Sequence, residues 1–445
     1  MNLNVLFNSI ISGFILLSLF WIYKIIKSYL WIKKTKRVTT SPATKNIFVV
    51  IPVLKESERI ARTIVYFRKK FSHLNLKLVI VTTEAEYQNK NCTELNTVTI
   101  VEQLSKAYPN VFHYHYPHLR GKMAHQLNYA IRGIISKRHG KNALFTIYNA
   151  DSRPHPNTFD WILSYLDKHK EAKVFQQYGD YTQNINNLKS GLKKPILWSA
   201  ACWQNRWSIG FEIPHALKQF KRRVTPTIFS YPLNYCIGHG LFFTEDIYKK
   251  LGGFCEETHN EDAIFGLELS YLKEPIVPIP YFDLSDTPDT VSGLYLQKSN
   301  WFFGPLEAFS YYKKIVKKNK VNPLKLLILT LKLFMHAVYW VAGPTAMLVA
   351  IILTLLDFSI ERIVLLLITI FIFLTVPSFL SWFLIKHSLE EKTARKQIVF
   401  SFFYNLIGSF PCYLLHGLSA YRTLMLIIIS KITKKTVVKE KTPML

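Results

Sequence analysis

Two acidic positions stand where a carboxylate does chemistry. Residues 144–151, LFTIYNAD, run from an apolar β-rich stretch into Asp151, and Pro154 and Pro156 then stop the sheet from continuing. An acid at such a strand end can hold a divalent ion that bridges diphosphate oxygens and offsets charge on a departing nucleoside diphosphate. It can equally cap a helix starting near Thr158, and the stretch alone does not choose. Asn149 offers a carbonyl oxygen but no charge. Residues 258–267, THNEDAIFGL, set Glu261 beside Asp262 at the start of a helical pattern with Ile264, Leu267 and Leu272 inward. A carboxylate at a helix N-terminus suits a base that takes a proton from an attacking alcohol.

Other stretches could complete such a site. Residues 51–56, IPVLKE, pass from a buried strand into a helix from Ser57, and put Glu56 in a loop of the kind that touches nucleotides. In residues 119–128, LRGKMAHQLN, Gly121 allows close backbone approach, and Arg120 and Lys122 can neutralise phosphate. The same stretch could be a basic helix start facing solvent; it is not a P-loop, because GxxxxGK[ST] is absent. Trp301, near Gln297, could stack on the apolar face of a sugar ring, although a lone aromatic also serves as packing. His113 and His115 share one strand face without a third ligand nearby, as ordinary strand histidines do.

These residues need a scaffold, and the 445-residue chain is long enough for a catalytic domain plus something else. Strand-like runs alternate with helical patterns over residues 46–312: NIFVVIPV, a helix from Ser57, LKLVIVTT, a helix near 94–108, VFHYHYP, a helix from Gly121, then LFTIYNAD. This predicts an α/β fold with a mostly parallel sheet covered on both faces, and ligands at the strands' carboxyl ends. Residues 5–26 are uncharged but for Lys24, long enough to cross about 30 Å of hydrocarbon. Lys24, Lys27, Lys33, Lys34, Lys36 and Arg37 follow, which predicts an anchor with its N-terminus outside and the catalytic block cytoplasmic; a buried N-terminal helix is the other reading. From Pro323 the chain is apolar again. An interfacial helix is expected first, then spans over 336–356 and 363–385. Residues 398–429 read as one span with an interfacial helix after Pro411, or as a re-entrant pair. The basic stretch 386–397 and the lysine-rich tail from Lys431 favour the cytoplasmic side, hence an even number of crossings after the catalytic block.

The net charge of +27 gathers largely beside the apolar spans, which suits anionic headgroups and phosphate-bearing substrates better than nucleic acid. Five cysteines form no CxxC pair, against structural zinc and in keeping with a reducing compartment.

In order along the chain, PVLKE, LRGKMAHQLN, NAD, GHGLFF…LGGF, NEDAIFG and QKSNWFFGP resemble a membrane-bound family 2 glycosyltransferase of the polysaccharide-synthase type. Cellulose, chitin and hyaluronan synthases and ceramide glucosyltransferase are the relatives in view. The resemblance implies a GT-A-like domain over 41–312, between a membrane anchor with a basic juxtamembrane segment (1–40) and interfacial and transmembrane helices with a basic tail (313–445). NAD stands where the family has DxD, so Asp151 should ligate Mn²⁺ or Mg²⁺ on the donor, with Asn149 beside it. NED stands for TED, making Asp262 the general base and Glu261 its neighbour. QKSNW stands for QxxRW, so Gln297 and Trp301 should line the acceptor site. Glu56, Glu84 and Lys122 fall at donor positions, and His239 of Gly238-His239-Gly240 on an acceptor-side loop.

The implied function is inverting, metal-dependent transfer of a sugar from a nucleoside diphosphate to a glycan or lipid acceptor at the inner face of the plasma membrane, with polysaccharide synthesis foremost. The alternatives are a single transfer to lipid, or a non-catalytic scaffold or sugar-nucleotide sensor. Three departures motivate those alternatives: Asn149 for the first Asp of DxD, Asn300 for the arginine of QxxRW, and VIVTTEAE, which reaches an acid only at Glu84. Trp203-Gln204-Asn205-Arg206-Trp207 mimics QxxRW but is one residue short and precedes NED, so it reads as an interfacial or core helix.

Overall fold

A computed structural model describes residues 3–37, 45–88, 96–137, 143–189, 191–222, 233–318, 321–389 and 394–433. Among the described residues eight strands form one sheet: β1 (Ile47–Pro52), β2 (Leu76–Thr83), β3 (Val111–Tyr116), β4 (Leu144–Ile147), β5 (Arg153–Pro154), β6 (Val174–Asp180), β7 (Leu241–Thr244) and β8 (Val277–Leu284), in the order β3-β2-β1-β4-β7-β6-β8-β5. The pairs β3/β2, β2/β1, β1/β4 and β6/β8 are parallel, and β7 runs antiparallel between β4 and β6. Period-two alternation divides the core. Ile47, Val49 and Ile51 face the helices Ser57–Lys70 and Thr158–Lys168, whereas Phe48 and Val50 face the helix Met123–Ser136. The chain steps outward from β1 through β2 to β3 and then returns to β4 on the other side of β1. That reversal is the switch point where an open α/β sheet holds its ligand, and β4 leads straight to Asn149 and Asp151.

Among the described residues, four helices are long and apolar enough to cross a membrane: Leu3–Thr35, Pro323–Leu356, Ile360–Ser388 and Arg395–Thr433. Their ends are tied together. At one end the Arg362 guanidinium donates to the Leu353 carbonyl at 3.0 Å and to the Asn4 side chain. At the other, Lys36 donates to the Ser388 carbonyl, and Lys386 meets Asp180 at the end of β6 at 3.1 Å. The basic stretch 386–397 therefore begins, at Lys386, on the same side as the sheet.

Several expectations need correction. Pro323–Leu356 is one continuous helix, and its first turns (Leu326, Leu329, Leu333) pack on Ile264 and Leu267 of the catalytic block. Arg395–Thr433 runs unbroken through Pro411, so residues 398–429 contain neither a break nor a re-entrant pair. Among the described residues three long apolar helices follow the catalytic block, one for each apolar stretch of the sequence there; the basic tail that favours an even number of crossings lies mostly outside the described residues. The helix Glu261–Tyr271 is buried nearly all round, with Phe265 and Leu269 in the sheet-face core and Ile264 and Leu267 against the Pro323 helix.

Asp180 is fully buried and also accepts from Asn205 and Thr182. Lys386→Met should therefore leave an uncompensated buried charge and cost about 3–5 kcal/mol. Thermal melts of purified protein check this, and adding Asp180→Asn should recover most of the loss.

Candidate active site

Asp151 and Asp262 line one cavity of about 270 Å³ at the carboxyl ends of the strands. The sequence separates them widely; β4 and the Glu261–Tyr271 helix bring them together. The structure removes the capping role for Asp151. The N-cap of the helix Thr158–Lys168 is Asn157, while Asp151 Oδ2 accepts from the Asp286 N–H at 3.0 Å. Burial, then the charge of Asp286, pushes the Asp151 carboxyl up to about 6. A cation beside it would relieve both effects. No group of three or more His, Cys, Asp or Glu among the described residues could hold a metal by itself. Asp151 fits the sparser arrangement in which one or two carboxylates share a divalent ion with substrate phosphates.

Glu261 and Asp262 open their helix as expected. Asp262 Oδ1 accepts from the Ala263 N–H at 2.8 Å. Gly238 of the glycine-histidine-glycine turn lies directly beneath: a Cβ added there would sit 3.4 Å from Asp262 Oδ2 and 3.7 Å from Glu261 Oε1. Gly240 in the same turn has φ +64° and a tight fit against the Gln177 carbonyl, which only glycine meets without strain. His239 is buried in the cavity wall, its Nδ1 3.1 Å from Asp283 Oδ2 and its Nε2 3.2 Å from the Tyr181 hydroxyl. Burial opposes charge on His239, but the Asp283 hydrogen bond and charge, with Asp151 beyond, hold its pKa above the usual value.

Asn149, Gln297 and Trp301 also line the cavity. Glu56, Glu84 and Lys122 do not. Glu56 lies 3.6 Å from Arg59, which in turn reaches Asp286 at 3.6 Å and Asp289 at 3.8 Å. Glu84 pairs with His115 Nε2 at 2.7 Å, and Thr82 joins His113 and His115 in the same strand-end network. Lys122 donates to the carbonyls of Glu257 and Thr258 at 3.0 and 2.9 Å, pinning the loop that leads into Asn260-Glu261-Asp262.

With this geometry in place, residues 42–295 match the family profile described as Glycosyltransferase like family 2. The chain belongs to that family. It is a glycosyltransferase with a GT-A-like α/β domain. No curated protein matches it by sequence. Among solved structures, the mannosyltransferase PcManGT from Pyrobaculum calidifontis, in complex with GDP-Man and Mn²⁺, is 15% identical, with a TM-score of 0.49, covering 87% of this chain and 96% of that one. A mycobacterial protein is 12% identical with a TM-score of 0.34, over 59% and 74% of the two chains.

The glycosyltransferase cavity holds residues that motif reading passed over. Trp203, Gln204 and Trp207, from the stretch read only as an interfacial or core helix, line it, while Arg206 turns away to donate to the Phe373 carbonyl at 2.6 Å. Lys298 donates to Gln204 Oε1 at 2.6 Å and lies 4.4 Å over the Trp301 ring. Burial pushes its pKa down to about 8. It brings a cation to the cavity on the helix where Asn300 replaces the family arginine, and helical spacing (298 and 301 share a face) was the available signal. Glu212 is a further buried wall residue, pushed up to about 8 by burial, against the pull of His239 and Lys298 and with the charge of Asp262 adding to the rise.

This shift has a sign in stability. A free glutamate ionises near 4.5, whereas the folded protein keeps the Glu212 proton up to about 8. Between those values the folded state binds more protons, so stability falls as pH rises. Thermal melts from about pH 5 to about pH 8.5 should therefore decline more steeply in wild type than in Glu212→Gln. Parallel profiles would show that Glu212 does not carry the proton.

Proposed function

We propose that this glycosyltransferase moves a sugar from a nucleoside diphosphate donor to a hydroxyl of a membrane glycan or lipid, with inversion at the anomeric carbon. One observation carries the reading: Asp151 and Asp262 share a cavity that continues to Leu333 and Trp340 of the Pro323–Leu356 helix and His416 of the Arg395–Thr433 helix. Asp262 takes the acceptor proton during a single in-line displacement, with Glu261 at its side. Asp151 holds Mn²⁺ or Mg²⁺ with the donor phosphates, Asn149 lying alongside; the ion offsets charge on the leaving diphosphate when bound. Gln297 and Trp301 present a wall for the acceptor sugar, and His239 supports it from the glycine turn. Glu56, Lys122 and Glu84 act at one remove, through Arg59, the 257–258 loop and the β2–β3 strand end.

Support for the cytoplasmic side comes from the shared end of Lys36, Lys386 and the sheet, next to the juxtamembrane lysines. We assign residues 1–40 to the anchor, 41–312 to the catalytic domain and 313–445 to the following membrane region. A polysaccharide product fits the helices that continue the cavity; a single transfer to lipid fits Asn300. A panel of nucleotide sugars with membranes and Mn²⁺, scored for diphosphate release and product length, tests both. Release with a lengthening product supports a synthase, and release with one added sugar supports lipid transfer. No release with any donor overturns the enzymatic reading of this site.

A further inference from the structure

The helix Lys193–Trp207 does not stop at the cavity. It passes through a π-turn, Ser208–Glu212, into the helix Ile213–Arg222. A π-turn takes up one extra residue, and such turns gather at functional sites. In an unbroken α-helix the eight residues from Gln204 to Glu212 would leave the two side chains about 80° apart around the axis; absorbing one residue removes about 100° and brings them within about 20° of each other. Both side chains line the cavity. The backbone irregularity thus places Glu212 on the cavity wall.

Its carboxyl there is costly. Glu212 is 4% exposed, and its buried Oε2 makes no well-formed hydrogen bond, the Ser208 side chain one turn earlier being the neighbour that steadies the carboxyl. A buried polar atom short of partners forgoes the hydrogen bonds it would make with water. Trp203 and Trp207, from the same run of helix, line the cavity with it, the Trp207 ring stacked on Phe211 and the Arg206 guanidinium 4.6 Å over the Trp203 ring; aromatic side chains with a few polar groups are the lining that orients a small ligand. The same cavity is lined by Leu333 and Trp340 of an apolar helix, where an alkyl chain would be at home.

We propose that Glu212 is an acceptor-binding residue, whose carboxyl hydrogen-bonds a hydroxyl of a sugar headgroup while the acceptor's apolar remainder lies against the Pro323–Leu356 helix. The inference rests on the transferase reading for its role but concerns a side chain to which that reading gives no part. It makes the acceptor a hydroxylated amphiphile. The protonated carboxyl that burial favours can both donate to and accept from such a headgroup.

The test uses donor-free, full-length protein in amphipol, titrated with octyl β-D-glucoside below its micelle concentration and followed by tryptophan fluorescence. Wild type should show a saturable change, with 1-octanol binding far more weakly. Glu212→Leu should weaken octyl glucoside binding by about tenfold or more, and Glu212→Gln, which keeps a donor and an acceptor in the same volume, by less. If wild type shows no saturable change, if octanol binds as well as the glucoside, or if both Glu212 variants bind as wild type does, the proposal is overturned. If Glu212→Leu does not fold, Glu212→Gln and the octanol comparison decide. Diphosphate release from nucleotide sugars is read separately: its absence sinks the transferase reading, whereas normal release with unaltered glucoside binding sinks only the role of Glu212.

Discussion

Asp262→Asn should lower acceptor-dependent sugar transfer by about 10²–10⁴-fold, the usual worth of a positioned general base. Donor affinity should stay within about twofold, because the substituted group acts on the acceptor's proton rather than on the diphosphate. The structure makes this a clean exchange. The asparagine oxygen can still accept from the Ala263 N–H, and the amide fills the space above Gly238 that the carboxylate filled. What disappears is the negative charge at the start of the helix Glu261–Tyr271, where the backbone dipole favours an ionised acid ready to take a proton. Glu261, buried next door, is the residue most able to substitute, so the double variant Glu261→Gln/Asp262→Asn separates a weak second base from residual water attack. Rates of transfer and of donor binding on purified protein give the answer. Transfer at the wild-type rate would remove Asp262 from the chemistry, and full function in cells without any transfer would favour the scaffold reading.

How far the sequence could be read depended on whether a signal was local. The β1–β4 half of the sheet was legible because each strand is a short apolar run bounded by a helix with its own period, and parallel neighbours follow from that alternation. β5, two residues long, and the antiparallel β7 are held by distant partners and carry no pattern of their own. The same division runs through the site. Asp151 and Asp262 were legible because a strand end and a helix start each give a carboxylate a local reason to be there. Lys122 was read from its charge, yet its ammonium is held by carbonyls 135 and 136 residues away, a contact that spacing cannot express. Glu212 was invisible for a different reason: straight-helix counting puts it on the wrong face, and the π-turn that corrects the count leaves no mark in residue type. Trp203 and Gln204 were set aside because their stretch failed a motif, although a cavity wall needs only faces and hydrogen bonds. Pro411 misled in the opposite direction. A proline removes one helix hydrogen bond but does not end a helix whose neighbours hold it, and Gly408, three residues earlier, packs tightly against the Pro195 carbonyl.

Asp151→Asn should separate stability from activity in opposite directions. Its carboxyl lies among like charges, with Asp286 donating only a backbone N–H and Asp283 buried nearby, and burial itself opposes ionisation. At neutral pH the metal-free protein therefore holds that charge against its preference, and neutralising it should raise thermal stability by about 1–3 kcal/mol. Asparagine can keep the 3.0 Å hydrogen bond from Asp286, so the loop geometry should survive. Activity should fall, because one neutral amide beside the neutral Asn149 leaves the β4 end without a charged ligand. The expected loss in diphosphate release is about 10²–10³-fold, equivalent to several kcal/mol of charge stabilisation. Mn²⁺ binding should weaken in parallel, read by the paramagnetic resonance of free Mn²⁺ with a nucleoside diphosphate present and no sugar transfer under way. A variant that melts lower and loses activity would mean that Asp151 holds the fold together. One that melts higher and still binds Mn²⁺ as wild type does would move the ion elsewhere, with Asp286, already beside the cavity and tethered to Arg59, as the next carboxylate to replace.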